Sequence, residues 1–255
     1  MPRPPGIRHV EHAMGTVFSI DIRDHLTAAI ESALRRGIAL LHHIDAVFST
    51  YRPHSPISRL GRGEIALADC PDEVADVLRM CEAARRASGG WFDHYAAGGL
   101  DPSGLVKGWS VEEVSRLLAE AGAANTCVNG GGDIRLRGCR EPGTPWRIGI
   151  SDPLAPGRLL TVVSGGDMAV ATSGVAERGC HVRDPHTGAP ADGLAAVTLT
   201  GPGLAETDAY ATAAAAMGPD RVPGWLDGLD GYQAMTVTVD GRVWSSPGFP
   251  VACYG

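Results

Sequence analysis

No C-x-x-C pair occurs among the six cysteines of this 255-residue chain, Cys70, Cys81, Cys127, Cys139, Cys180 and Cys253. That absence removes the ligand spacing of a zinc or dithiol redox site, and the cysteines read as reduced thiols. No apolar run approaches the roughly eighteen residues a membrane span needs, so no membrane span is predicted. Basic side chains are in deficit, 22 Lys and Arg against 29 Asp and Glu, and a net charge of −7 offers no global attraction for a phosphate backbone. Nucleic acid is therefore excluded as the main partner. There is no Walker loop, no G-x-G-x-x-G, no H-E-x-x-H and no G-x-S-x-G, so any chemistry has to come from less common patterns. Arg3 and Arg8 are followed by no apolar signal core and no lipid-attachment cysteine lies near them, which makes cytoplasmic residence the expectation.

What is present is the composition of a folded domain, 44% apolar and 20% charged, with Gly 34 and Pro 18 below the level of low-complexity sequence. VFSIDI at 17–22 alternates as a half-buried strand does. The helix after it carries Ile30, Leu34, Ile38, Leu41, Ile44 and Phe48 at spacings of three and four. Prolines and glycines then make TYRPHSPISRLGRGE a loop, with a helical turn at 57–60. PDEVADVLRMCEAARRASGG is an amphipathic helix, WFDHYAAGGLDPSG is irregular, and a further helix runs from about Leu105 to Ala121. TCVNGGGDIRLRG reads as a hairpin, WRIGISD, RLLTVVSG, MAVATSG and AAVTLTG as strands, and QAMTVTVDGRVWSS as a last hairpin turning at Asp240-Gly241. TDAYATAAAAMG is a helix between them. The pattern predicts one α+β unit, mostly antiparallel sheet with packed helices, in one lobe or two.

Asp208 and Thr212 in TDAYAT are four residues apart, which puts a carboxylate and a hydroxyl on one helix face. Both are hard oxygen donors, suited to Mg²⁺. The competing reading makes Thr207 the helix cap, Asp208 a dipole partner and Thr212 a back-bonding hydroxyl. In DPSGLVKG, Asp101 and Pro102 turn the chain, Gly104 permits close approach and Lys107 falls early in a helix, as an anion cradle or as a solvated lysine. NGGGD at 129–133 is a phosphate-binding nest or simply a hairpin turn. His181, Asp184 and His186 in GCHVRDPHTG supply an imidazole and a carboxylate for proton transfer, or a strand running into a turn. Trp91, Phe92 and Tyr51 either stack on a planar ring or plug the core. His9, His12, His42 and His43 read as surface residues.

Taken in order, AMGTVFSI, STYRPHSPISRL, GGWFD, DPSGLVKGW, NGGGDI, ATSG, HVRDPHTG and ETDAYAT resemble the ApbE family of FAD:protein FMN transferases. The likeness spans residues 13 to 212, and it implies an ApbE-like domain over 13–255 with an N-terminal extension at 1–12. It implies that FAD is the substrate, that FMN is joined by a phosphoester to a Ser or Thr of an acceptor flavoprotein, that AMP leaves, and that Mg²⁺ is required. Carried over residue by residue, Met14, Tyr51, Trp91, Phe92, Asp93, Asp101, Lys107 and Val182 match FAD contacts. The Gly104 carbonyl, Asp208 and Thr212, with Ala211 in the same turn, match the metal site. His181 is the expected proton carrier, and His181 and Asp208 are the catalytic pair. GGWFDHYAAGG departs from relatives in having no proline after Phe92-Asp93, which predicts a different path for that loop. Hydrolysis of FAD to FMN and AMP, or FAD binding without cleavage, are the alternative functions. An aromatic Tyr51 would hinder loose water and favour transfer.

Overall fold

The alternation in TVFSIDI is realised in a computed structural model that describes residues 6–174 and 182–252. Strand β2 (Thr16–Ile22) buries Phe18, Ile20 and Ile22 completely and turns the residues between them the other way. It pairs on one side with β1 (Ile7–Ala13), through a two-residue turn in which Met14 and Gly15 both have positive φ, 50° and 67°. That geometry matches the twist of a tight hairpin and is strained for methionine. On its other side β2 pairs with β3 (Thr126–Gly130), which folds back on β4 (Asp133–Arg137) across Gly131-Gly132.

The sheet continues through β7 (Met168–Gly174), β8 (Leu194–Gly201), β9 (Gln233–Thr238) and β10 (Val243–Ser245). Its order is β1-β2-β3-β4-β7-β8-β9-β10, and each neighbouring pair is antiparallel. Between β4 and β7 the chain leaves the sheet to make a separate ribbon of β5 (Trp146–Ser151) and β6 (Leu159–Gly165). The ribbon closes a small second core in which Trp146, Ile150 and Val163 meet Ile134, Leu136, Val170, Met235 and Phe249. This ribbon-covered face is the minor lobe. The expected α+β class and antiparallel sheet are both present.

The main core lies between the sheet and the helices α1 (Ala28–Phe48), α2 (Pro56–Gly61), α3 (Asp72–Ala87), α4 (Ser103–Glu120), α5 (Leu204–Met217) and α6 (Val222–Leu226). Thr27 caps α1, its hydroxyl oxygen accepting the Ile30 N–H at 3.2 Å. Helix α5 is covered all round, with Ala209, Ala211, Ala213 and Ala214 at 0% exposure, which is why it is built of alanine and shows no amphipathic stripe. It starts at Leu204, earlier than the sequence suggested, with Gly203 as its cap. Thr207 is thus no cap: its hydroxyl donates to the Gly203 carbonyl at 2.6 Å from inside the helix.

Helices α4 and α5 touch backbone to backbone at Gly108. A Cβ there would lie 2.6 Å from the Leu204 carbonyl oxygen and 2.7 Å from the Asp208 Cβ. Gly108→Ala is accordingly expected to cost about 1–3 kcal/mol by forcing the helices apart, read as a lower urea midpoint. A variant as stable as the parent would show that the helices can part without cost.

Strand β1 and helix α6 were not anticipated. In β1 the half-buried positions are Ile7, His9 and Glu11, so polar groups interrupt the inward face and no apolar alternation is visible. Glu11 accepts from His9 Nε2 and His42 Nε2 at 3.1 Å each, the second bond tying β1 to α1. His43 reaches Glu73 of α3 at 2.6 Å. Residues 7–12 of the expected N-terminal extension are therefore β1 of the sheet.

Candidate active site

Helix α4 opens where Asp101 and Pro102 turn the chain, the Asp101 carboxylate accepting the Ser103 N–H at 3.0 Å. Its first turns face two cavities that share Asp101, Ser103 and Lys107 as a common wall. One, of about 200 Å³, is lined by Trp91, Phe92, Asp93, Gly104, Val182, Asp208 and Thr212 among others. The other, of about 370 Å³, is lined by Met14, Phe48, Tyr51 and Val106. Residues drawn from separate segments of the sequence thus line two neighbouring cavities that have Lys107 in common.

Lys107 is the electrostatic centre. Its ammonium makes an ion pair with Asp133, whose residue exposure is 0%, and lies 4.0 Å from Asp208 Oδ1. Asp208 Oδ2 accepts the Gly108 N–H at 2.9 Å, and Asp133 Oδ1 accepts the Thr172 N–H at 3.2 Å. Two buried carboxylates thus stand around this ammonium, and a cation beside Asp208 would sit favourably there, whereas a diphosphate alone would add negative charge.

The donors present fit Mg²⁺. A Cβ on Gly104 would lie 3.4 Å from Thr212 Oγ1, so the glycine keeps open the space beside that hydroxyl, and Gly104, Asp208 and Thr212 all line the same cavity. All three offer hard oxygens. Among the described residues no group of three or more His, Cys, Asp and Glu is placed to hold a metal. A cation here would rely on carbonyl, hydroxyl and phosphate oxygens to complete its shell. Ala211 lies in the same turn but its side chain is fully buried in the core.

The α5 end of the site is held by Glu112 of α4. Its Oε2 accepts the Leu204 N–H at 2.8 Å, and its Oε1 accepts from Arg135 and Arg137 at 3.0 and 3.2 Å. The carboxylate satisfies an otherwise unpaired N–H of the first turn of α5 and so fixes the helix bearing Asp208.

The aromatic residues divide. Tyr51 is 94% exposed and lines the larger cavity. Phe92 is 2% exposed and packs beside Gly104, flooring the smaller cavity. Trp91 has the Arg221 guanidinium 5.2 Å from its ring centroid and His186 edge-on at 4.5 Å. Asp184 accepts the His186 N–H at 2.8 Å within its own turn. His181 lies outside the described residues, next in sequence to Val182, which lines the cavity.

Two contributors escaped the sequence reading. The glycine nest does not face the cavity: the Gly131 N–H donates to the Val17 carbonyl at 3.1 Å and the Gly132 N–H to Asn129 at 2.9 Å. NGGGD is a hairpin turn whose final residue, Asp133, is the partner of Lys107. The second is His94, 8% exposed on the cavity wall, its Nδ1 without a hydrogen-bond partner among the described residues. Burial pushes its pKa below the usual 6.5, against the opposing pull of Asp93 and Glu82. A lowered folded pKa means that the unfolded chain binds the proton first. The stability His94 contributes is complete above about 6.5 and is lost as pH falls through the folded value. Urea midpoints should therefore drop from pH 7 to pH 5 more steeply in the parent than in His94→Gln, and parallel curves would contradict the burial argument.

The sequence model of the ApbE family matches residues 14–98 and 94–236. The chain belongs to the ApbE family. Among curated ApbE-family relatives, the FAD:protein FMN transferase of Vibrio cholerae is 36% identical over 132 residues, 48% of this chain and 40% of that protein. The Escherichia coli K12 protein of the same name is 29% identical over 163 residues, 59% of this chain and 46% of its own length. The chain spans less than half the length of these curated relatives. The solved flavin transferase ApbE from Vibrio cholerae superposes with a TM-score of 0.82 at 22% identity, over 96% of this chain and 98% of that one. The Thermotoga maritima ApbE protein gives 0.82 at 21% identity, covering 95% and 97%. At such identities the superpositions show that the ApbE fold is shared.

Proposed function

We propose that this chain is an Mg²⁺-dependent FAD:protein FMN transferase, working in the cytoplasm on a flavoprotein acceptor. The reading is carried by one observation: two cavities meet at Lys107, with Asp208, Thr212 and Gly104 on one side of the junction and Met14 and Tyr51 on the other. A dinucleotide is two planar halves joined by a diphosphate, and the two cavities lie on either side of a shared charged wall of Asp101 and Lys107. The names of the curated relatives support it. The free thiols Cys70, Cys81, Cys127 and Cys139 suit a reducing compartment, and among the described residues no helix is long and apolar enough to cross a membrane.

In this reading Gly104, Asp208 and Thr212 would hold Mg²⁺, which when bound neutralises diphosphate charge and acts as a Lewis acid on the phosphoryl oxygens. Lys107, held by Asp133, contributes fixed positive charge to the diphosphate. Met14, Tyr51, Trp91, Phe92, Asp93, Asp101 and Val182 surround the rest of the dinucleotide. The acceptor hydroxyl oxygen forms a bond to the FMN phosphorus while the bridging P–O bond breaks, and AMP departs with that bond's electron pair. The hydroxyl proton passes to His181. Positioning and charge neutralisation then supply most of the rate.

The test incubates the protein with FAD and Mg²⁺, with and without acceptor, and follows AMP and acceptor-bound flavin. AMP formed only with acceptor, together with labelled acceptor, is the expected result. AMP without acceptor would make the protein a hydrolase, and no AMP in either arm would make it a flavin binder. His181→Ala should retain FAD binding and slow turnover by about 10²–10⁴-fold, the usual worth of a general base.

A further inference from the structure

On the far side of β7 from the helices lies a third cavity, of about 380 Å³, between the ribbon and the main sheet. Ile148, Ile150 and Pro153 form its ribbon wall, and Ile134, Val170 and Ala196 its sheet wall. Asp152 is the one ionisable side chain among its described lining residues, so whatever binds is recognised by shape, apolar contact and backbone rather than by charge. Thr172 and Gly174 line both this cavity and the one containing Asp208. The end of β7 is thus a wall common to the two spaces.

That end of β7 has an open flank. Strand β4 pairs with β7 only at Met168, Ala169 and Val170, and among the described residues no strand lies beside Thr172 to Gly174 on that side. The Thr172 N–H points to this flank, since Asp133 of β4 accepts it. Alternation along the strand places the Thr172 carbonyl and both backbone polar groups of Gly174 on the same flank. Across the groove, β5 pairs with β6 alone. Open strand edges beside apolar pockets take up an extended polypeptide, main chain to main chain, with alternate side chains in the pockets.

We propose that this groove binds the acceptor polypeptide in extended form along the Thr172–Gly174 edge of β7, delivering its Ser or Thr hydroxyl into the reaction cavity. The inference rests on the transferase reading above. With the dinucleotide occupying the two compartments that meet at Lys107, a polypeptide must enter through another wall. The wall at Thr172 and Gly174 combines an open backbone edge and apolar pockets, and the same two residues line the cavity that holds Asp208 and Thr212.

The probe is a fluorescein-labelled synthetic peptide with a central Thr flanked by alternating Val and Asn, so that this Thr carries its one hydroxyl side chain, alongside a copy with Ala at the centre. Binding is read by anisotropy, and FMN transfer by labelled-peptide mass. Ile148→Glu and Ala196→Glu each place a charge in the groove, and FAD affinity reports whether each variant is folded. The expected result is that both peptides bind the parent, and that both variants weaken peptide binding at least about tenfold while FAD affinity is unchanged. Transfer should occur to the Thr peptide only, with KM raised in the variants and kcat nearly constant. Failure of the parent to bind either peptide, or equal binding by parent and variants, would overturn the groove assignment. Peptide binding that the variants abolish, with no transfer by the parent, would keep the groove and discard the transferase reading.

Discussion

Asp208→Asn should lower AMP release from FAD by about 10³-fold while leaving the protein folded, because on the transferase reading proposed above this carboxylate would hold the Mg²⁺ that supplies several kcal/mol of phosphoryl charge stabilisation. Asparagine retains an oxygen for the Gly108 N–H, which Asp208 accepts at 2.9 Å, so the contact between α4 and α5 survives. Alanine would remove both functions. Asp208→Ala should lose the same activity and, in addition, about 1–3 kcal/mol of stability from the unsatisfied buried N–H. Comparing the two in urea and in an AMP assay separates the structural role from the chemical one. The half-saturating Mg²⁺ concentration should rise in Asp208→Asn and in Thr212→Val. Full activity of Asp208→Asn at low Mg²⁺ would remove this carboxylate from the proposed metal site.

The largest expected effect on stability is at Lys107. Its pair with Asp133 is buried on both sides, the Lys107 side chain 16% exposed and that of Asp133 1%. Lys107→Met strands a carboxylate in the core, and uncompensated buried charges of this kind cost about 3–5 kcal/mol. Adding Asp133→Asn removes the stranded charge and keeps an oxygen for the Thr172 N–H. The double variant should therefore recover most of the lost stability and none of the activity, giving a clear coupling in a double-mutant cycle. A Lys107→Met protein within about 1 kcal/mol of the parent would mean that solvent reaches Asp133 freely.

How much of this was legible in the chain differs by element for physical reasons. Strand β2 announces itself because its buried residues Phe18, Ile20 and Ile22 are apolar and alternate, β7 and β8 because they are short runs rich in Ala, Val and Thr bounded by glycine, and Asp240-Gly241 marks its hairpin. Strand β1 does not, because Glu11 and His9 occupy its inward face. The start of α5 was misjudged because Thr207 resembles a cap, whereas the cap is Gly203 and the terminal N–H is satisfied by Glu112, a residue far away in sequence. The spacing of Asp208 and Thr212 was readable from helical periodicity alone, and both line the cavity with Gly104. Asp133 was hidden by the glycines before it, which direct attention to the turn rather than to the carboxylate. His94 sits in an irregular segment where no period exists to place it. The third cavity could not be read at all, since it exists only once the ribbon folds over the sheet.

The crossing of α4 and α5 has a temporal consequence. Lys107 and Asp133 are made early, but their counterpart Asp208 and the helix that Glu112 steadies emerge from the ribosome much later, followed by the strands β9 and β10 that complete the sheet. A partly synthesised chain therefore carries the Lys107–Asp133 pair without Asp208, and the wall that Asp208 and Thr212 give the smaller cavity is added only when the later helix folds against α4.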